Sequence, residues 1–134
     1  MIRIPIIGRF VVLKPESLAM PRSDPQTFLP LSHLSYHVLL ALRSAPLHGY
    51  AVVKAVKASS QGVISPGTGT FYSAMHRLVR EGLIDQTDGG SDASSDSRRK
   101  HYDLTQLGHL VLDAETRRLE SLLTQARAAA EARP

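Results

Sequence analysis

The chain has no cysteine, and its 134 residues contain no apolar run near the ~20 residues a membrane helix needs. Without cysteine there is no disulfide framework, no thiolate metal site and no thiol nucleophile, which suits a reducing cytoplasm. No serine carries a motif that marks it as a nucleophile. The glycine-rich stretch SPGTGT lacks the Gly-Lys-Ser/Thr end of a phosphate-binding loop. His33 and His37 have the four-residue spacing of a two-histidine metal site. No glutamate stands between them as a metallohydrolase needs, and no third ligand is evident, so they read as surface or helix-packing histidines. His48 is assigned to a turn and His101 to a strand. No metal, cofactor or enzymatic activity is expected. The start, MIRIPIIGRFVVLKPESLAM, is broken by Pro5, Gly8, Arg9 and Lys14 and makes a poor signal peptide. These absences leave a soluble, cytoplasmic protein with no membrane contact.

Charge is present but unevenly placed. The net +4 is small, yet residues 43–82 alone carry Arg43, Lys54, Lys57, Arg77 and Arg80 against the single acid Glu81. Residues 83–104 are net acidic, and residues 105–134 balance. A basic face concentrated in one segment is the electrostatic footprint of a polyanion binder, although a solvated face looks the same.

The first 30 residues hold five of the eight prolines, and PRSDPQTFLP reads as a linker. IRIPII and RFVVL could be short strands or disordered chain, and Met20 is a second candidate translation start. From Ser32 the pattern becomes helical. SHLSYHVLLALRS puts Leu34, Val38 and Leu42 on one face, with Ser32 at the N-cap. SAPLHG breaks that helix. YAVVKAVKASS forms a second, with Val52, Val53 and Val56 inward and Lys54 and Lys57 outward. VIS could supply one strand. A third helix is expected over roughly 69–81, ended by Gly82. LIDQT and KHYDL alternate as strands do, around the polar tip DGGSDASSDS. Thr105 then caps a last helix reaching at least Ala126.

Helix–helix–helix–hairpin–helix is the order of a winged helix-turn-helix with a trailing helix. The expected fold is therefore mainly α with a small β-hairpin: an N-terminal extension or linker (1–30), a winged DNA-binding domain (31–104) and a C-terminal dimerisation helix (105–134). On the third helix Phe71, Met75 and Leu78 face the core, with Ala74 allowing close approach. The other face shows Thr70, Ser73, His76, Arg77 and Arg80. Such a helix can enter the major groove, where arginine reads guanine and hydroxyls or imidazole reach base edges and phosphates. The Gly69–Thr70 start offers free N–H groups to phosphate. Lys54 on the second helix and Arg98, Arg99 and Lys100 on the wing add phosphate contacts.

ALRSAPLHGYAVVKAV, PGTGTFYSAMHRLVREGLID and SRRKHYDLTQLGHLVL together resemble, in order and spacing, the PadR-like transcriptional regulators over residues 31–115. The resemblance implies a winged-helix fold, double-stranded operator DNA as partner, homodimerisation through the last helix, and repression relieved by a small-molecule effector of unidentified chemistry. It assigns Tyr72 to the tyrosine that approaches DNA at the start of the recognition helix, and Tyr50 to a mainly structural aromatic. An additional Gly-Thr pair in PGTGT predicts a shifted loop into that helix. With no tryptophan in the chain, an effector slot built from indole rings is excluded.

Leu112, Leu119, Leu122, Leu123 and Ala126 form the stripe expected to meet a second copy, although they could pack on their own domain. The rival function is a winged-helix adaptor or antirepressor that contacts proteins and reads no DNA. The acidic tip with Asp88, Asp92 and Asp96 favours that reading.

Overall fold

The computed structural model describes residues 24–87 and 100–133. The expectations for IRIPII, RFVVL, Met20, the acidic tip, Arg98 and Arg99 lie outside the described residues.

Helix α1 (His33–Ala41) starts where the sequence places it: the Ser32 hydroxyl accepts the Ser35 N–H at 3.1 Å. Its inward residues are Val38, Leu39 and Leu42, while Leu34 is only half-buried. Helix α2 (Gly49–Ser59) buries Val52 and Val56 completely and leaves Lys54 and Lys57 in solvent. The chain then reverses through Gln61 and Gly62, at φ +56° and +81°. VIS is no strand. Val63 is 84% exposed, and the Ser60 hydroxyl holds the Ile64 N–H at 2.9 Å, so local side-chain bonding replaces a ladder.

Helix α3 (Thr68–Arg80) takes the additional Gly-Thr pair into its first turn, with Gly67 at the N-cap. Its end is a Schellman turn. Gly82 sits at φ +82°, the Gly82 N–H bonds the Val79 carbonyl and the Leu83 N–H bonds the Leu78 carbonyl, both at 3.0 Å.

Strands β2 (Ile84–Thr87) and β3 (His101–Leu104) pair antiparallel, with Ile84 opposite Leu104 and Gln86 opposite Tyr102. The expected hairpin gains a third strand on the free edge of β3. This is β1 (Leu47–His48), from the stretch read only as a helix breaker. Pro46 precedes it and has no N–H, which an edge position tolerates. One sheet face buries Ile84, Tyr102 and Leu104, and the other carries His48, His101, Asp85 and Asp103.

Helix α4 (Gln106–Glu131) begins at Thr105, whose hydroxyl accepts the Gly108 N–H at 2.9 Å and reaches the Gly82 carbonyl at 2.6 Å. The cap thus ties α4 to the end of α3. A Cβ on Gly108 would fall 2.1 Å from the Leu83 carbonyl oxygen, so no larger residue fits this crossing. The first half of α4 closes the core. Here one expectation is corrected: Leu112 is 1% exposed inside its own domain and cannot join an external stripe, because α1 and the sheet already cover that side of the helix.

The stretch read as linker also packs from Asp24 onward. Pro25–Phe28 forms a 3-10 turn capped by the Asp24 carboxylate, and Phe28, Leu29 and Leu31 lie against the core. The Leu31 N–H donates to the Glu115 carboxylate at 3.0 Å, and Arg118 grips that carboxylate at 2.5 and 2.9 Å. Arg118, and then the Leu31 N–H, hold the Glu115 carboxyl below the usual carboxylate range, against the opposing effect of burial. Each fully buried Leu, Val or Phe contributes about 1.5–3 kcal/mol. An exposed ion pair such as Arg43–Asp113 contributes about 0–1 kcal/mol. Apolar burial therefore holds the helices together.

Candidate nucleic-acid interface

Helix α3 has two faces because 3.6-residue periodicity separates them. Phe71, Met75 and Leu78 are at most 1% exposed, whereas Thr70, Ser73, His76, Arg77 and Arg80 all lie in solvent. The structure therefore brings five of the expected contact residues onto one surface. Thr70, Ser73, Arg77 and Arg80 border a shallow depression beside the start of α1, reaching Ser32 and Leu34. His76 stands on the other flank, toward the sheet. The first-turn amides of α3 have no side-chain cap, since Gly67 offers none, and such amides can serve an anion.

Tyr72 is placed differently from the other five. It is half-buried, edge-on to Phe71 with ring centroids 4.8 Å apart. A Cβ on Gly49 would lie 2.6 Å from the Tyr72 hydroxyl, so the phenol butts against the first residue of α2. Tyr72 thus fixes how α2 and α3 meet, and its hydroxyl opens into a cleft rather than onto the outer face.

That cleft, of about 770 Å³, lies between α2, α3 and the inner face of the sheet. Phe71, Tyr72, Tyr102, Val53 and Pro66 line it, with Lys57, His76 and Lys100 among its polar residues. Burial, and then the neighbouring Tyr72, push the Tyr102 hydroxyl up, so it stays protonated. Lys100 is half-buried here. Lys54 stands apart on the exposed side of α2, its ammonium 5.3 Å from the centre of the Tyr50 ring.

Tyr50 corrects a second expectation. It is 68% exposed, and a mainly structural role does not account for an aromatic ring in solvent at the mouth of the cleft. Tyr50 and Lys57 are the surface residues that the sequence reading left out of the candidate set. HGY alone does not reveal this, because the contact that packs Gly49 against the Tyr72 hydroxyl comes from another helix.

His33 and His37 sit on α1 and His101 on a strand as expected, whereas His48, expected in a turn, ends strand β1. His37 Nδ1 is 2.6 Å from the Ser59 hydroxyl, and burial, then His33, lower its pKa. His48 and His101 face each other across β1 and β3, edge to face at 5.5 Å. Among the described residues no group of three His, Asp or Glu side chains is arranged to hold a metal ion. Also among them, no helix is long and apolar enough to cross a membrane.

Solved structures share this fold. A transcriptional regulator from Clostridium thermocellum aligns with TM-score 0.59 at 22% identity, over 75% of this chain and 94% of its own. A PadR-like transcription factor from Bacteroides fragilis aligns at 0.60 and 22%, over 72% and 88%. A PadR family regulator from Clostridium difficile aligns at 0.56 and 22%, over 70% and 97%. At such identities the likeness establishes the fold. No curated protein matches the chain. The family comes from the sequence itself: the model described as the transcriptional regulator PadR-like family matches residues 38–114, more than half of the 134 residues, and the chain belongs to that family.

Proposed function

We propose that the protein is a repressor that binds a palindromic operator as a homodimer, reading bases through α3 and holding the backbone through the wing. The observation that carries this reading is the division of α3, with an apolar face fully spent on the core and a hydroxyl, imidazole and guanidinium face free. Arg77 and Arg80 have the geometry for guanine O6 and N7, and Thr70 and Ser73 for base edges or phosphates. Lys54 and Lys100, with Arg98 and Arg99, supply sequence-independent phosphate contacts.

Dimerisation is supported by the distal half of α4, where Leu119, Leu122 and Leu123 are 36%, 46% and 51% exposed. Ala126 continues that stripe. Two copies joined there present two reading helices, and such dimers read half-sites about one helical turn, ~34 Å, apart. A dimer seated across a promoter excludes other proteins from the duplex, which gives repression.

The test is fluorescence anisotropy of the full chain on duplex from upstream of its own gene, against scrambled duplex, over a range of salt. The expected result is sequence-preferring binding at two chains per site, with affinity falling steeply because the counterions that phosphate contacts release gain less entropy at higher salt. Binding that is absent or indifferent to sequence would favour the adaptor reading instead.

A further inference from the structure

His33 and His37 lie on a flank of α1 apart from the α3 depression, which Ser32 and Leu34 border instead. Residues four apart on a helix bring their Cβ atoms to about 5–6 Å, so the two imidazoles are neighbours. Both line a separate cavity of about 320 Å³, whose other wall is Ser59, Ser60, Gln61 and Ile64 beyond the end of α2. Duplex reading uses none of these residues. Spacing alone supplies a pair of rings, and the fold adds a partner that fixes one of them. The Ser59 hydroxyl lies 2.6 Å from His37 Nδ1, across two helices. With Nδ1 engaged, Nε2 is the ring nitrogen left for another ligand. An ion bound there selects the tautomer in which the Nδ1–H donates to Ser59 Oγ, the outer-shell bond that orients metal-binding histidines. Burial, and then His33, lower the His37 pKa, so the ring is neutral at pH 7, the form that ligates. The other facing pair, His48 and His101, has no hydrogen bond of this kind among the described residues, and its His101 Nδ1 is buried.

Among the described residues no aspartate or glutamate lines the cavity, and no third His, Asp or Glu completes a closed site. Mg²⁺ or Ca²⁺ would find no carboxylate oxygens there, and a structural zinc site needs four protein ligands. Two neutral imidazoles suit a late transition-metal ion instead. We propose that His33 and His37 chelate one divalent ion of the Zn²⁺, Ni²⁺ and Cu²⁺ class, one nitrogen from each ring. Water fills the remaining positions, and Ser59 is a positioning residue. The ion joins the first two turns of α1 and, through Ser59, ties them to the end of α2. Its open positions make it exchangeable, so occupancy follows the metal supply rather than folding. The site lies off the α3 face and is independent of the operator reading.

The probe is Zn²⁺, titrated as the chloride into the 15N-labelled full chain at pH 7, with Mg²⁺ as control. Imidazole nitrogen shifts are expected at His33 and His37, saturating at one ion per chain, with His48 and His101 unmoved. His33→Ala alters an exposed side chain and keeps the fold, and should weaken Zn²⁺ about tenfold or more as the chelate is lost. Ser59→Ala retains both rings and should weaken it about tenfold, the scale of an outer-shell partner. Saturating Zn²⁺ should raise the Tm of the wild type and leave that of His33→Ala in place.

Zn²⁺ shifts centred on His48 and His101 would overturn the site. Equal Zn²⁺ affinity in wild type and His33→Ala would mean that single imidazoles bind, and would overturn the chelate. Equal responses to Zn²⁺ and Mg²⁺ would overturn the metal class. Unchanged affinity in Ser59→Ala would remove the positioning role and, with it, the tie to α2.

Discussion

The two halves of α4 carry similar apolar spacing and meet opposite fates. From Gly108 to Glu115 the inward positions are buried against α1 and the sheet, whereas from Leu119 onward every residue lies in solvent. Leu112 is 1% exposed and Leu122, ten residues along the same helix, is 46% exposed. Apolar periodicity therefore names a face and leaves open what covers it. Helix α3 supplies the third case: its apolar stripe is wholly buried, and its free face is polar and cationic. An exposed leucine stripe asks for another protein surface, while an exposed guanidinium face asks for a polyanion.

The comparison breaks most visibly by truncation. Leu112→Ala should destabilise the fold by about 2–5 kcal/mol, the range for a leucine whose removal leaves a core cavity. Leu122→Ala should cost the isolated fold less than about 0.5 kcal/mol, as an exposed position does. It should instead make unfolding depend less on protein concentration, since a weakened dimer contact adds less stabilisation by mass action. Urea unfolding at two protein concentrations, with light scattering for mass, checks both. Equal, concentration-independent losses would erase the distinction between the halves.

The next effect sharpens the contrast with α3. Arg77→Ala should lose about 1–3 kcal/mol of affinity for the preferred duplex and relax the preference at one position. Lys100→Ala should weaken all duplexes alike and flatten the salt dependence by about one phosphate contact. Both are read by anisotropy on preferred and scrambled duplex. Sequence-independent losses from both variants would mean that the free face of α3 does not read bases.

Much of this frame is legible in the sequence because local chemistry writes it. Ser32 and Thr105 cap the helices they precede, Gly82 closes α3, and the buried and free residues of α3 follow from one helical period. What sequence could not disclose depends on distant partners. Strand β1 has only two residues, too short for any period, and exists because β3 has a free edge. Leu112 has the spacing of a dimer residue until α1 occupies its side. Tyr50 looks like a packing aromatic until Gly49 is seen against the Tyr72 hydroxyl. Glu115 is an ordinary helix glutamate in sequence, and its 2% exposure follows from the docking of residues 24–31.

That glutamate gives a prediction confined to the root of α4. Glu115→Gln should destabilise the fold at neutral pH by about 1–2 kcal/mol, the scale of hydrogen bonds to a charged group, part of which the amide retains. The pH dependence follows from the lowered carboxyl pKa. A carboxylate held below its unfolded value contributes stability that is fully present above the ordinary glutamate pKa, about 4.3, and is lost as pH falls through the folded value. The difference between wild type and Glu115→Gln should therefore hold steady from neutral pH to about 5 and shrink below about 4. Urea midpoints across that range check it. A gap that widened on acidification would show that the carboxylate is not the group being stabilised.

The smallest expected effect tests whether the root of α4 needs charge at all. Arg43, just beyond α1, pairs with Asp113 on α4, and each side chain is 42% exposed. A pair so open to water gains little from Coulomb attraction and spends side-chain entropy to hold its geometry, so such pairs contribute about 0–1 kcal/mol. Arg43→Ala should lower stability by no more than that, and 1 M salt should lower the wild type by a comparable amount while leaving the variant unmoved. Thermal unfolding of both proteins at low and high salt separates the charge contribution from packing by the arginine stem. A loss near that of Leu112→Ala would mean that the α1–α4 contact depends on this ion pair rather than on the apolar side chains beneath it.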